Sequence, residues 1–202
     1  MKKQLLVLAA VIALIASSCK VAGTLYPISQ NEHDFIYKKE MTGKWEDPKD
    51  HSGYYAIDTV SGKNGRQYQV EAVFENKETK GRDTSRFNAI LVSISGWYYL
   101  DCWVDMEKQF TGTDKNYEDW LVARHLIFRL SFPSTNTIEL AAPDPDELLK
   151  LIDQKKILLH YATIKKDDYL ILDKPALLQK AFAESKKYPL LYKEKNILHR
   201  SE

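Results

Sequence analysis

Asp101, His125 and Arg129 are the side chains whose types and spacing come nearest to a chemical set in this chain. Tyr99, Asp101 and Trp103 fall on alternate positions of one strand-like run. His125 and Arg129 fall on alternate positions of another. In a strand, alternate residues share a face. If the two runs are neighbours, Asp101 either pairs with Arg129 or orients the His125 imidazole, because a buried carboxylate needs a partner. Such a cluster has two uses. It can fix the register of the sheet, which is the plainer expectation, or it can form the polar floor of a ligand cavity.

Other chemistry is poorly supplied. The five histidines, His33, His51, His125, His160 and His199, include no pair at metal-ligand spacing on one element and no H-E-x-x-H, so no metal is expected. Ser61, Ser93 and Ser95 lie outside any G-x-S-x-G elbow. The stretch Gly62-Lys63-Asn64-Gly65 lacks the spacing and the following helix of a phosphate loop. Cys102 sits mid-strand among aromatics, the setting of an inert packed thiol. No catalytic residue and no cofactor is assigned. The charges are balanced, 29 basic against 28 acidic, which leaves no electrostatic case for nucleic acid.

The elements that must position these residues centre on Arg86 to Val104, the densest run of β-branched and aromatic residues, with a break at Ser95-Gly96. Both faces of this pair are largely apolar, so cover on both sides is expected. Further strands are expected over Tyr54–Val60, Gln67–Glu75, His125–Phe132, Thr137–Leu140, Ile157–Thr163 and Tyr169–Leu172. The long polar stretch Asp105 to Trp120 reads as a surface loop, with a lid over a barrel mouth as the other reading. Asp144, Pro145 and Glu147 open one helix, with Asp144 as N-cap. Asp173 and Pro175 open a second, with Asp173 as its cap. The expected fold class is α+β, mainly β. It is an antiparallel β-meander, curved or barrel-like, with two short helices in the C-terminal half covering an open face.

The N-terminus carries an address. Met1-Lys2-Lys3 precedes an apolar run from Leu5 to Ala16, too short to span a bilayer. Ala16-Ser17-Ser18-Cys19 then resembles a bacterial lipoprotein signal, with Ala16 where Leu is usual. That resemblance implies a Cys19 acylated and exposed by cleavage, and Lys20 fits the outer membrane of a Gram-negative envelope. An ordinary secretory signal is the alternative, and a Cys19–Cys102 disulfide would be the competing use of the two cysteines. The expected organisation is a signal peptide over 1–18, a lipid-anchored tether over 19–40, one β-rich domain over 41–188 and a loose polar tail over 189–202. Phe35, Ile36 and Tyr37 are expected to dock on the core.

Two more resemblances concern the body. Gly43-x-Trp45 near the first strand is similar to the lipocalins, in which the Trp plugs one end of a barrel; a plain core Trp after a turn is the other reading. Gly43-x-Trp45, Tyr99-Leu100-Asp101, His125 at the head of an alternating strand, Ile138-x-Leu140, Asp146-x-Leu148, Ile171-Leu172-Asp173 and Leu178-Gln179-x-x-Phe182 together resemble a group of small uncharacterised bacterial lipoproteins. Asp173 stands where that group has Thr. The resemblance implies an envelope location and brings no activity with it. Three functions are therefore expected to compete: a non-enzymatic, lipid-anchored interaction or assembly component meeting an envelope protein; a lipocalin-like carrier of a small apolar ligand; and a hydrolase with no visible site. The carrier requires a cavity near 300 Å³.

Overall fold

A computed structural model describes residues 21–60, 67–75, 80–104, 124–165 and 167–201. The leader, Cys19 and the stretch from Asp105 to Trp120 lie outside the described residues.

The strands are β1 (Val21–Thr24), β2 (Gly43–Asp47), β3 (Asp50–Thr59), β4 (Gln67–Glu75), β5 (Arg82–Ile94), β6 (Trp97–Val104), β7 (His125–Ser134), β8 (Thr137–Ala141), β9 (Tyr161–Lys165), β10 (Asp168–Ile171) and β11 (Asn196–Arg200). β2 through β8 form a meander in which each strand pairs with the next, all antiparallel. β11 pairs with both β8 and β2 and closes it. The result is an eight-stranded up-and-down barrel. Closure removes the free edges that an open sheet would leave.

A wing branches from this barrel. β1 meets β7 at Thr24–His125, and it runs parallel to β10, which pairs with β9. The helices α1 (Pro145–Asp153) and α2 (Pro175–Glu184) lie between β8 and β11 in sequence. They pack on the outside of a closed wall rather than over an open face. Two apolar layers follow. Inside the barrel lie Trp45, Tyr68, Phe87, Leu91, Leu100, Cys102, Phe128 and Leu198, among others. Outside, Ile90, Val92, Tyr99 and Ile127 meet Leu148 and Leu151 of α1 and Leu178 and Phe182 of α2. This explains why the Arg86–Val104 pair is apolar on both faces.

The structure corrects several expectations. From residue 21 the expected tether is built into the fold: Val21–Thr24 is a strand, Ile28 is fully buried, and Phe35 bridges to Val92. Of the three residues expected to dock, Tyr37 stays exposed and stacks on Tyr68. The expected loose tail is also structural, since Leu191, Tyr192 and Leu198 are buried and β11 completes the barrel. The strand expected over Ile157–Thr163 begins at Tyr161 instead. Ile157 and Leu159 are buried alternately, but the chain there leaves α1 through a tight turn in which Lys156 and Ile157 donate to the Leu151 carbonyl. Alternation without a paired strand does not make a ladder. Asp144 caps α1 as expected, accepting from the Glu147 N–H at 3.0 Å. Asp173 does not cap α2; the cap position is Lys174, and Asp173 binds the backbone N–H and the ring of His160.

Candidate functional site

The outer wall brings Asp101 and His125 together. They lie on neighbouring strands, with Asp101 opposite Ile127 and Trp103 opposite His125. This diagonal places the two side chains on one face. Asp101 is completely buried. Its Oδ1 accepts from His125 Nδ1 at 2.7 Å, and its Oδ2 accepts from the Ile28 backbone N–H at 2.7 Å. Trp103 packs on the imidazole with ring centroids 5.4 Å apart. The carboxylate therefore fastens the N-terminal segment to the wall and fixes the orientation of the imidazole. Among the described residues no hydroxyl or thiol bonds to that ring.

The other two members of the expected cluster do different work. The Tyr99 hydroxyl donates to the Phe182 carbonyl at 3.1 Å and lies 3.4 Å from Ser185 Oγ, tying α2 to the wall. Burial raises the pKa of this phenol, and it raises that of Tyr192, which joins the same network through Ser185, further still. Arg129 does not pair with Asp101. Its guanidinium lies over the rings of both Trp97 and Tyr192. Among the described residues no group of three or more His, Cys, Asp or Glu is placed to hold a metal ion.

The barrel interior offers the second candidate. Its Gly43 end is plugged. Trp45 is completely buried, its Nε1–H donates to the Met41 carbonyl at 2.8 Å, and the Arg200 guanidinium lies 4.5 Å from its ring centroid. Arg200 also donates to the Thr42 and Glu40 carbonyls at 2.7 and 2.8 Å. Gly43 has φ +127°, a backbone conformation that side-chain-bearing residues rarely adopt, so glycine is favoured there; an added Cβ would also displace the end of the Arg200 side chain. Toward the other end, where β2 finishes and β11 begins, a cavity of about 90 Å³ remains. Its walls are chiefly Ile57, Val70, Phe87, Leu100, Leu130 and Leu198, with Asp47, Tyr55 and Asn196 as polar liners. Cys102 also lines it, and burial, with a smaller push from Asp101, drives its thiol pKa upward. The thiol is kept neutral and unreactive.

Sequence reasoning raised a cavity but missed its lining, and it missed the Arg200–Trp45 contact and the Arg129 contacts with Trp97 and Tyr192, because each depends on the C-terminal segment. Pro189-Leu190-Leu191-Tyr192 and the alternation of Asn196–Arg200 were the available signals. Fold and sites together define a closed eight-stranded β-barrel with a helical cover and a sheet wing. No family model, no curated protein and no solved structure matches the chain.

Proposed function

We propose that the chain is a lipid-anchored, non-enzymatic component of the cell envelope, held through Cys19 in the outer membrane of a Gram-negative bacterium and acting there as an interaction or assembly partner. The observation that carries this reading is the pairing of β1. Val21, two residues after Cys19, is already hydrogen-bonded into the wing beside Asp168. Two extended residues reach at most about 7 Å. An acylated Cys19 would therefore hold the wing close to the bilayer, with no slack tether between lipid and fold. Several acyl chains supply a stable anchor, at about 0.8 kcal/mol per buried CH₂. Ile164 on β9 and Leu172 after β10 are exposed apolar residues of this wing and suit an interfacial position. Fractionation of cells expressing the full chain and its Cys19→Ser variant tests the anchor. The full chain should pellet with membranes, resist high salt and dissolve in detergent, and the variant should lose this behaviour. Equal partition of the two would refute the anchor.

A second reading, a carrier of a small apolar ligand, is favoured by the apolar cavity and by the plug at Trp45. Eight-stranded barrels can hold one small ligand, as the lipocalins do. The size speaks against it: about 90 Å³ falls well short of the roughly 300 Å³ that a carrier requires, so only an occupant of a few heavy atoms would fit. Xenon titration followed by methyl NMR tests it. Saturable shifts at Val70, Leu100 and Leu198 would support an accessible interior, and their absence would remove the carrier.

A further inference from the structure

Arg129 projects from the outer face of β7, and its guanidinium carbon sits 4.2 Å from the ring centroid of Trp97 and 4.1 Å from that of Tyr192. Two aromatic rings therefore hold the cation at van der Waals distance. A ring face offers the guanidinium N–H donors no lone pair of the kind a carboxylate or phosphate oxygen supplies. Among the described residues Arg129 makes no hydrogen bond and no ion pair; its partners are the two rings. Glu139 is near enough to act on the guanidinium electrostatically. Its Oε2 accepts from Ser131 Oγ at 3.1 Å and from Lys195 Nζ at 2.9 Å, and no bond from Arg129 to it is formed.

The clamp is itself fixed. Tyr192 is buried, and its hydroxyl lies 3.4 Å from Ser185 Oγ in the network that includes Tyr99. Trp97 is held as the first residue of β6, paired with Ile94. A free arginine loses rotamer freedom when it is fixed in one geometry. Here the stack has already imposed that loss. What remains is a positive group with no hydrogen-bond acceptor among the described residues.

We propose that Arg129, clamped between Trp97 and Tyr192, is a binding site for an oxyanion, a carboxylate or phosphate group presented edge-on to the guanidinium. Two parallel charge-assisted hydrogen bonds match this donor geometry, and a lysine cannot reproduce them. The group can come from a free anion or from the headgroup of an anionic lipid. The site does not depend on Cys19 acylation.

The test is NMR of the full-length mature protein in neutral detergent micelles, observing the Arg129 Nε–Hε and Trp97 indole signals at constant chloride. Inorganic phosphate and acetate are titrated separately to about 50 mM, and anionic phosphatidylglycerol is then doped into the micelles. Saturable shifts of both signals with any of the three probes are expected. In the variants the Trp97 signal alone reports: its shift should be lost in Arg129→Gln, and its affinity weakened about tenfold or more in Arg129→Lys, which keeps the charge and loses the fork. Shifts with phosphate or acetate identify a free anion as sufficient, and shifts with phosphatidylglycerol alone identify a lipid headgroup. Linear, non-saturating shifts with all three probes would overturn the proposal. So would saturation unchanged in Arg129→Lys, which preserves the stacked cation if Arg129→Gln fails to fold.

Discussion

The Asp101 carboxylate meets the His125 imidazole at 2.7 Å on the outer wall of the barrel, and its second oxygen holds the Ile28 backbone N–H at the same distance. One completely buried carboxylate thus joins β6, β7 and the N-terminal segment. Its removal leaves a buried N–H and an oriented imidazole without their acceptor. Asp101→Ala should cost about 3–5 kcal/mol, the usual result of breaking a buried polar pair from one side. Asp101→Asn keeps one acceptor oxygen and should cost less. Urea unfolding of the variants checks both, and a loss under 1 kcal/mol for Asp101→Ala would contradict the account.

The barrel end is secured by Arg200, which reaches from β11 over Trp45 and binds the Thr42 and Glu40 carbonyls. Arg200→Ala should lower stability by about 1–3 kcal/mol, because two backbone acceptors lose a charged donor. Trp45 emission should shift to the red as water reaches the plug. Ending the chain at Lys195 deletes β11 and opens the barrel, and no cooperative unfolding transition should survive.

Cys102 gives a pH dependence with a definite sign. Burial raises its folded thiol pKa above the unfolded value, so its contribution is complete below about 8.5 and is lost as pH rises toward the folded value. Stability should therefore fall between pH 7 and about 9.5, and Cys102→Ala should reduce that fall. Denaturation midpoints at the two pH values measure it.

Thiol counting reports on the anchor as well. The chain has two cysteines, Cys19 and Cys102. Native protein should react slowly with a thiol reagent, because Cys102 is buried. After denaturation of membrane-extracted protein, one thiol per chain is expected if Cys19 is acylated, and two if both are free.

The cavity can be filled. Val70 faces the space beside Leu100 and Leu198, so Val70→Ile adds one methyl to a void. The substitution should be neutral or stabilise by up to about 1 kcal/mol. Val70→Trp overfills about 90 Å³ and should destabilise. Thermal melts of both variants decide.

Much of the barrel was legible because its strands are local. Each pairs with the next, and two-residue periodicity across Gln67–Glu75 and His125–Ser134 marks which side faces inward. The Asp101–His125 pair was legible for the same reason, since both sit at alternating positions of adjacent strands. What was not legible depends on long-range closure. Lys193, Glu194 and Lys195 precede β11 and Arg200 ends it, so a charged flank hid a five-residue strand whose burial exists only between β8 and β2. Val21–Thr24 is too short for a periodic signal and is a strand only because β7 and β10 are beside it. Asp173 had the residue type of a helix cap, yet the nearby His160 backbone N–H and ring claimed its oxygens.

The lipid anchor is tested most directly by mass spectrometry of the N-terminal peptide from protein extracted out of membranes with detergent. The account predicts a peptide that begins at Cys19 and carries the mass of a diacylglyceryl group, with or without a further acyl chain on the new amino terminus. A peptide with an unmodified Cys19, or a mature terminus at any other residue, would contradict it.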